Sequence, residues 1–251
     1  MEIRLNGKVL LVTGASTGIG RAIALEAARS GADIVVNYRS SDAAASEVEG
    51  EITRLGVRCL KAKADVSIEG EVFKMFEAID KEFGSPPDVL VNNAGSMIER
   101  SLISEMSLDV WERVLAVNMT SVFLCSKEAL KSMIPKKSGV IINITSIAAY
   151  TGGGPGSCAY ASTKGAINTF TVGLAKEVAR HGIRVMAVGP GVIETPFHEK
   201  FTSSKRRKEF KDIVPIGRVG TAEDIAPLVV FLASDYASFA TGHHFDVTGG
   251  M

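Results

Sequence analysis

Residues 9–20 read VLLVTGASTGIG, an apolar run that leads directly into a glycine-rich turn. The run predicts a buried strand, and the periodic residues after Gly20 predict a helix. Glycine permits a tight turn and lets the backbone approach a ligand closely, while the free N–H groups and the dipole at the start of a helix favour an anion. Strand, glycine turn and helix in this order therefore predict a binding site for a phosphate group.

The same alternation of apolar runs and helical segments extends along the chain. Further β-branched runs occupy residues 34–37, 89–92, 140–144 and 184–188. Helical periodicity is found at residues 20–30, 43–55, 69–83, 108–133, 159–180 and 222–232. The runs are apolar at nearly every position, which is typical of parallel strands covered on both faces. No linker or repeat divides residues 1–251, so we predict one α/β domain with a doubly wound parallel sheet and helices on both faces.

Composition narrows the classes of function. The 251 residues contain 28 basic and 28 acidic side chains, so the broad positive field of a dedicated nucleic-acid binder is not expected. The N-terminus lacks the pattern of a signal peptide, and no apolar run approaches the ~20 residues of a membrane-spanning helix. Three widely spaced cysteines argue against a disulfide framework or a zinc site. We expect a cytoplasmic protein with no metal, membrane or nucleic-acid partner.

Further motifs follow the predicted strands in order. These are Asn92-Asn93-Ala94-Gly95, Asn118 in the next helix, Ser146, Tyr160 with Lys164 in the spacing YxxxK, and Pro190-Gly191. Together with the TGxxxGxG spacing of residues 13–20, they resemble the short-chain dehydrogenase/reductase family over essentially the whole chain. The resemblance implies a Rossmann-type domain, usually a homotetramer or homodimer, that moves a hydride between a nicotinamide cofactor and a small-molecule carbonyl or secondary alcohol.

Four residues are the predicted catalytic group. Tyr160 and Lys164 lie at i and i+4 of a predicted helix and so share one face. A free phenol has a pKa of ~10, and a nearby ammonium is expected to lower it, which makes the phenol a usable proton donor and acceptor. Ser146 is expected to donate a hydrogen bond to the same substrate oxygen. The resemblance implies that Asn118 holds a water that links Lys164 to solvent.

The end of the second strand bears on the choice of cofactor. A carboxylate there would accept hydrogen bonds from the ribose hydroxyls and would repel a 2′-phosphate. Tyr38 stands at that position, Arg39 follows it, and Ser40 can add a hydroxyl donor. Guanidinium pairs well with phosphate, so NADP(H) is favoured. NAD(H) stays the alternative, because Arg39 also fits the description of a solvated loop charge.

The resemblance implies the remaining cofactor contacts. They are Gly14, Ser16, Thr17, Gly18, Ile19 and Gly20 in the turn, Asp65 and Val66 after the third strand, Asn92, Ala94 and Gly95 after the fourth, Pro190, Ile193 and Thr195 after the sixth, and Tyr160 and Lys164 themselves. Asp65 fits equally well as the N-cap of the following helix. Asn92 also fits as a tie between strands.

Two segments are expected to shape the substrate pocket. One is the loop 147–157, and the other is the segment 194–214, which matches the mobile lid of the family. Within the lid, we expect His198 at the surface and residues 205–208 as the solvated face of a helix. A sugar, polyol or small keto compound is the favoured substrate, and a 3-oxoacyl-carrier-protein reductase is the alternative. A non-catalytic NADP(H) sensor is opposed by the intact Ser146, Tyr160 and Lys164.

Overall fold

Seven parallel strands form one sheet in the part of the chain that the computed structural model describes, which is residues 3–251 without the side chain of Lys208. Met1 and Glu2, the start of the predicted domain, lie outside the described residues. The strands are β1 (Val9–Val12), β2 (Asp33–Tyr38), β3 (Cys59–Lys63), β4 (Val89–Asn92), β5 (Gly139–Ile144), β6 (Ile183–Pro190) and β7 (His244–Val247).

Ten α-helices accompany these strands within the described residues. They are α1 (Gly18–Arg29), α2 (Asp42–Arg54), α3 (Glu69–Phe83), α4 (Leu108–Leu115), α5 (Ser121–Lys136), α6 (Ala148–Thr151), α7 (Cys158–Val178), α8 (Pro196–Phe201), α9 (Ser204–Ile213) and α10 (Ala222–Ala233). A π-helical turn joins α4 to α5. The predicted doubly wound architecture is confirmed.

The strand order is β3-β2-β1-β4-β5-β6-β7, so the chain reverses its direction of travel across the sheet between β1 and β4. Their register pairs Leu10 with Val89 and Val12 with Val91. Loops that follow β1 and β4 leave in opposite directions and open a crevice at the carboxyl ends of the strands. The glycine turn and the Asn92–Gly95 motif therefore meet at one edge of the sheet.

Alternate residues of each buried strand supply two separate apolar layers. Leu10 and Val12 pack with α1 and α10 on one face, whereas Val9 and Leu11 pack with α3, α5 and α7 on the other. This alternation follows from the two-residue period of a strand. Both faces of the sheet are covered, which explains why the central strands are apolar throughout.

Three elements differ from the prediction. The single helix predicted over residues 108–133 is interrupted at Ala116–Thr120, where the N–H of Ser121 donates to the carbonyl of Ala116, five residues earlier. Helix α7 ends at Val178 and continues as a short 3₁₀ turn, rather than reaching residue 180. The sequence does not predict strand β7, because its histidines and aspartate lack the apolar pattern of the central strands.

The tight packing of the glycine turn yields a stability prediction. A Cβ on Gly20 would lie 2.4 Å from Asn93 Nδ2 and 2.5 Å from the carbonyl oxygen of Gly14, so the turn would have to shift. We expect Gly20→Ala to lower the free energy of unfolding by roughly 1–3 kcal/mol and to weaken cofactor binding.

Gly50 provides a matched control, because it lies within α2 and a Cβ added there would meet nothing within 4 Å beyond the backbone of its own helix. Gly50→Ala is expected to raise the free energy of unfolding by roughly 0.5–1 kcal/mol. Urea unfolding of both variants measures the difference, and equal effects of the two substitutions would contradict this account of the turn.

Candidate active site

A hydrogen-bonded clamp holds the glycine turn against the fourth strand. The hydroxyl of Thr13 accepts from the backbone N–H groups of Asn93 and Ala94, both at 2.9 Å. The Asn93 amide donates back to the carbonyls of Thr13 and Gly14, at 2.8 and 3.2 Å. On the other side, the side-chain oxygen of Asn37 accepts from the N–H of Gly14 at 3.2 Å. The turn is thus fixed to both neighbouring strands.

The shape of the turn fits the predicted dinucleotide. Gly14 and Gly18 adopt φ values of +63° and +55°, in the left-handed region that favours glycine. A Cβ on Gly14 would lie 3.1 Å from Ala94 Cα, and one on Gly18 would lie 3.5 Å from Thr195 Cβ. Helix α1 begins here with no acidic residue in its first turn and no side-chain hydrogen bond from its N-cap, Thr17. The surface is therefore suited to a phosphate.

A crevice of about 910 Å³ extends from this turn along the carboxyl ends of the strands. Most of the residues predicted to bind cofactor or substrate line it. These are Gly14, Ser16, Thr17, Gly18, Ile19, Tyr38, Arg39, Ser40, Asp65, Val66, Ala94, Gly95, Ser146, Tyr160, Lys164, Pro190, Ile193 and Thr195. The structure thus brings together motifs that are up to 181 residues apart in the chain.

Gly20, Asn92 and Asn118 do not line the crevice, so the expectation of direct cofactor contact needs correction for Gly20 and Asn92, whereas Asn118 is expected to act through a water. Gly20 is buried against Asn93 and Gly14. The Asn92 amide donates to Asn143 Oδ1 and Ser126 Oγ, at 2.9 and 3.2 Å, so it ties β4 to β5 and α5. Gly20 and Asn92 therefore lie behind the crevice wall.

The end of the crevice beside β2 and β3 contains an ion pair. Arg39 Nη1 lies 3.7 Å from Asp65 Oδ2, and the Arg39 side chain is 62% exposed. The Tyr38 hydroxyl donates a hydrogen bond to Asp42, which raises the pKa of Tyr38 to about 12. The Tyr38 ring lines the crevice, while its hydroxyl is occupied by this hydrogen bond. Asp65 also accepts from the N–H and hydroxyl of Ser67, at 3.0 and 2.6 Å. The N-cap of α3 is Ile68, so the alternative of Asp65 as that N-cap is wrong, and Asp65 instead stabilises the turn before the helix.

Ser146, Tyr160 and Lys164 meet at the opposite end. Ser146 follows β5, and its hydroxyl accepts from the N–H of Ala148 at 3.1 Å and hydrogen-bonds the Tyr160 phenol. Lys164 Nζ lies 5.5 Å from the centre of the Tyr160 ring and donates to the carbonyl of Ile144 at 2.8 Å. Helix α7 thus presents phenol and ammonium on one face, as the YxxxK spacing predicts.

The pKa of the phenol differs from the prediction. Burial raises the pKa of Tyr160 to about 12, and the opposing influence is the Ser146 hydrogen bond rather than Lys164. Burial also lowers the pKa of Lys164 to about 8. Burial therefore sets the pKa of the phenol in this structure, and the expected net lowering by the ammonium is not found. The reason is that Nζ points to the Ile144 carbonyl, and both groups are desolvated.

Asn118 lies next to Lys164 but does not face the crevice. A Cβ on Gly95 would lie 2.8 Å from Asn118 Oδ1 and 3.3 Å from Lys164 Nζ, so both polar groups flank this glycine. The Asn118 amide donates to the carbonyls of Ser96 and Val114, and its oxygen accepts from the N–H of Ser96. Both N–H donors of its side chain are used by these contacts, and its oxygen accepts one of the two hydrogen bonds that it can accept. It positions the segment after Gly95, and the water-holding role stays a prediction.

Helices α8 and α9 cover the crevice beside Tyr160. The Phe197 ring lies 5.3 Å from the Tyr160 ring and 5.1 Å from the Phe201 ring. His198 packs 5.1 Å from Phe210, and burial lowers its pKa to about 4. The prediction of a surface position for His198 is therefore wrong, because the lid folds inward and carries this ring with it. In the basic run, Lys205 and Arg206 are exposed as expected.

Comparison with known proteins supports this geometry. Residues 14–251 match the model of a protein family described as enoyl-(acyl carrier protein) reductase. The chain belongs to the short-chain dehydrogenase/reductase family. It is accordingly an NAD(P)-dependent oxidoreductase with a Rossmann-type fold, as the sequence predicts.

Three relatives illustrate the range within the family. The chain is 42% identical to an uncharacterized oxidoreductase of Escherichia coli, over 96% of this chain and 99% of the relative. It is 39% identical to the 3-oxoacyl-[acyl-carrier-protein] reductase of Aquifex aeolicus, over all of both chains. The solved structure of 7α-hydroxysteroid dehydrogenase complexed with NADH and 7-oxo glycochenodeoxycholic acid superimposes with a TM-score of 0.93, covering 99% of this chain and 96% of that one, at 32% identity.

Several crevice residues of this short-chain dehydrogenase were not identified from the sequence. Asn37 holds the glycine turn, yet an asparagine near a strand end gives no distinctive signal, and Asn93 does the same although the sequence marks it only as part of the Asn92–Gly95 motif. Met97, Arg100 and Met251 line the crevice from segments without a recognised motif. In the part of the chain that the structure describes, no helix is long and apolar enough to cross a membrane.

The buried ammonium gives a pH-dependent prediction. The pKa of Lys164 is lowered from 10.5 to about 8, so between these values the unfolded chain binds more protons than the folded one. The stability of the wild type should therefore rise with pH across this window. Lys164→Met removes the cost of burying the charge and should raise the free energy of unfolding by roughly 2 kcal/mol at neutral pH, an advantage that shrinks as the pH rises through the window.

Lys176 is an exposed lysine of the same helix, and Lys176→Met is the control, expected to leave stability and its pH dependence nearly unchanged. Urea unfolding across the pH range measures both variants. A Lys164→Met effect that does not vary between the folded and ordinary pKa values would contradict burial of the charge.

Proposed function

We propose that the protein reduces the carbonyl of a 3-oxoacyl thioester with NADP(H). The observation that carries this proposal is a protonated phenol, Tyr160, hydrogen-bonded to Ser146 beside an aromatic crevice wall. The phenol is protonated at neutral pH and can donate its proton to a carbonyl oxygen, and the Ser146 hydrogen bond offsets part of the burial that makes it a weaker acid. The 39% identity to a 3-oxoacyl-[acyl-carrier-protein] reductase supports the same substrate class.

The lining of the crevice favours an acyl substrate over a sugar or polyol. Beside Tyr160 the wall is built by apolar side chains, which include Met97, Phe197, Phe201, Phe210 and Ile213. A polyol buried there would leave hydroxyl groups without partners, at a cost of about 1–3 kcal/mol for each. An acyl chain loses nothing in the same position. We therefore prefer an acyl substrate to the sugar or polyol that the sequence favoured.

Each catalytic side chain has a role that matches its surroundings. When bound, the nicotinamide cofactor supplies the hydride for reduction and accepts it in the reverse reaction. Tyr160 donates its phenolic proton to the substrate oxygen, and Ser146 stabilises the negative charge that develops there. Lys164, anchored on Ile144, lies close enough to bias the phenol electrostatically once it has lost the proton. The presence of Ser146, Tyr160 and Lys164 together argues against a non-catalytic NADP(H) sensor.

A direct comparison of substrates tests the proposal. The purified protein is offered an acetoacetyl thioester and a panel of sugars, polyols and simple ketones with NADPH or NADP⁺, and the change in nicotinamide absorbance is followed. We expect the thioester to have the highest kcat/KM. Faster turnover of a sugar or polyol would overturn the acyl assignment, and NADPH binding without turnover of any substrate would favour the sensor.

Tyr160→Phe separates catalysis from binding. The variant loses the transferable proton but keeps the ring that packs against Phe197. We expect kcat to fall by about 10²–10⁴-fold, while NADPH affinity measured by fluorescence stays close to that of the wild type. A comparable loss of NADPH affinity would show that the phenol is needed for the fold of the crevice, which would contradict its role as proton donor.

The preference for NADP(H) is proposed to depend on Arg39, supported by Ser40 and Ser41 in the same part of the crevice. A 2′-phosphate would compete with Asp65 for the exposed guanidinium. Arg39→Ala should raise the Kd for NADPH by about 10–100-fold and leave the Kd for NADH nearly unchanged.

Arg21 provides the matched control for this charge removal. It lies in α1 near the glycine turn, but it pairs with Glu51 at 2.8 Å and does not line the crevice. Arg21→Ala should therefore leave the ratio of the two dissociation constants unchanged. An Arg39→Ala variant with the wild-type ratio would show that another group sets the preference.

Assembly and location stay predictions. Leu108, Ile216 and Phe239 are large apolar side chains that are 70%, 65% and 102% exposed in the single chain, and strand β7 forms one edge of the sheet. Exposed apolar groups of this size are typical of protein interfaces, which supports the predicted homotetramer or homodimer. Light scattering of the purified protein measures the subunit number, and fractionation of the source cells tests the cytoplasmic location.

A further inference from the structure

Arg100 connects the two segments that flank the substrate end of the crevice. Its Nε donates to the carbonyl of Phe201, the last residue of α8, at 2.8 Å. Its Nη1 donates to the carbonyl of Pro155, in the loop before α7, at 2.6 Å. Gly156 packs closely against the arginine stem, because a Cβ there would lie 2.7 Å from Arg100 Cγ. The guanidinium is thus held in one place by two backbone carbonyls.

A strained segment carries this arginine. Ile98 has a φ of +60°, a conformation that costs a β-branched residue on the order of 1–3 kcal/mol. The hydroxyl of Ser96 accepts from the N–H of Ile98 at 3.0 Å, and Ser96 is in turn fixed by Asn118. Such strain persists only where the surroundings enforce it, and here it directs the chain so that Arg100 reaches the crevice.

The charge of Arg100 has no acidic partner among the described residues. Of the described side chains that line the crevice, that of Asp65 is the sole one with a carboxylate, and it lies at the other end beside Arg39. In the lid, Arg206 already pairs with Glu209 at 2.9 Å. A carbonyl oxygen accepts a hydrogen bond but does not neutralise a guanidinium. The substrate end therefore has an uncompensated positive charge beside an apolar wall.

We propose that Arg100 is a specificity-determining residue that binds an anionic group, a carboxylate or a phosphate, on the apolar substrate. This inference rests on the proposed function and adds the charge of the substrate to it. Tyr160 and Phe201 are separated by the Phe197 ring, with ring centres 5.3 and 5.1 Å apart along that path. The anionic group is therefore several bonds from the reacting carbonyl. In a thioester it is either the phosphate of a phosphopantetheine arm or a carboxylate at the end of the acyl chain.

Matched pairs of substrates test the charge and identify its source. The first pair is acetoacetyl-phosphopantetheine and the neutral acetoacetyl-pantetheine; the second is a 3-oxoacyl-pantetheine with a terminal carboxylate and its methyl ester. Arg100→Gln keeps a neutral donor but removes the charge. We expect the variant to lose about tenfold or more of the wild-type preference for the anionic member of one pair. The loss should fall mainly on KM, because the contact is remote from the reacting atoms.

A loss of preference in the first pair shows that Arg100 binds a phosphate, and a loss in the second pair shows that it binds a carboxylate. If Arg100→Gln slows both members of each pair equally, Arg100 only fastens the lid to the loop, and the proposal is overturned. An unchanged preference in both pairs overturns it as well. Arg113→Gln removes an exposed arginine of α4 that lies 3.6 Å from Asp109, and it is the control for loss of charge alone. NADPH affinity of each variant confirms that the crevice is folded.

A binding measurement keeps this test separate from the proposed function. Calorimetry on the NADP⁺-bound protein compares phosphopantetheine with pantetheine, and a medium-chain fatty acid with its methyl ester, without any turnover. Tighter binding of one anionic ligand by the wild type, lost in Arg100→Gln, supports the anion site even if no thioester is reduced. Equal affinity of the wild type for both members of both pairs contradicts it. Failure of every thioester as a substrate, by contrast, overturns only the proposed function.

Discussion

The hydrogen bond from Lys164 Nζ to the carbonyl of Ile144 fixes the catalytic end of the crevice. It joins α7 to the end of β5 at a distance of 2.8 Å, in a position where the lysine is 3% exposed. Ser146 lies two residues beyond Ile144, and Tyr160 lies one helical turn before Lys164. One contact therefore sets the distance between the phenol and the hydroxyl that is to share the substrate oxygen. Burying an ammonium lowers stability, but the hydrogen bond that it makes here positions the phenol and the hydroxyl.

The parts of the site that the sequence predicts are those defined by local geometry. A glycine turn between the first strand and the first helix needs only the order of neighbouring residues, and the YxxxK spacing places two side chains on one face of any helix. Parallel pairing then brings the strand ends to a common edge, so Gly14, Ser146 and Thr195 line one crevice although the chain separates them widely.

Properties that depend on burial are not predictable in the same way. The raised pKa of Tyr160 and the lowered pKa of Lys164 arise from desolvation by elements that are distant in sequence. The sequence alone favours a surface position for His198 because histidine usually lies there, but the inward fold of α8 places it among aromatic rings. Arg100 belongs to no motif, and its role is visible only because Phe201 and Pro155 approach it from different parts of the chain.

The distribution of charge in the crevice bears on how the phenol transfers its proton. Arg39 at one end of the crevice is matched by Asp65, whereas Arg100 at the other end has no acidic partner among the described residues. Between them lies a desolvated phenol that retains its proton. Reduction forms the phenolate when the proton is donated, and oxidation of an alcohol starts from it, so the desolvation opposes the phenolate in both directions. Proton transfer in either direction therefore needs positive charge near the phenol to stabilise the phenolate. Lys164 is the nearest side chain that can supply it, but only when its own lowered pKa leaves it protonated.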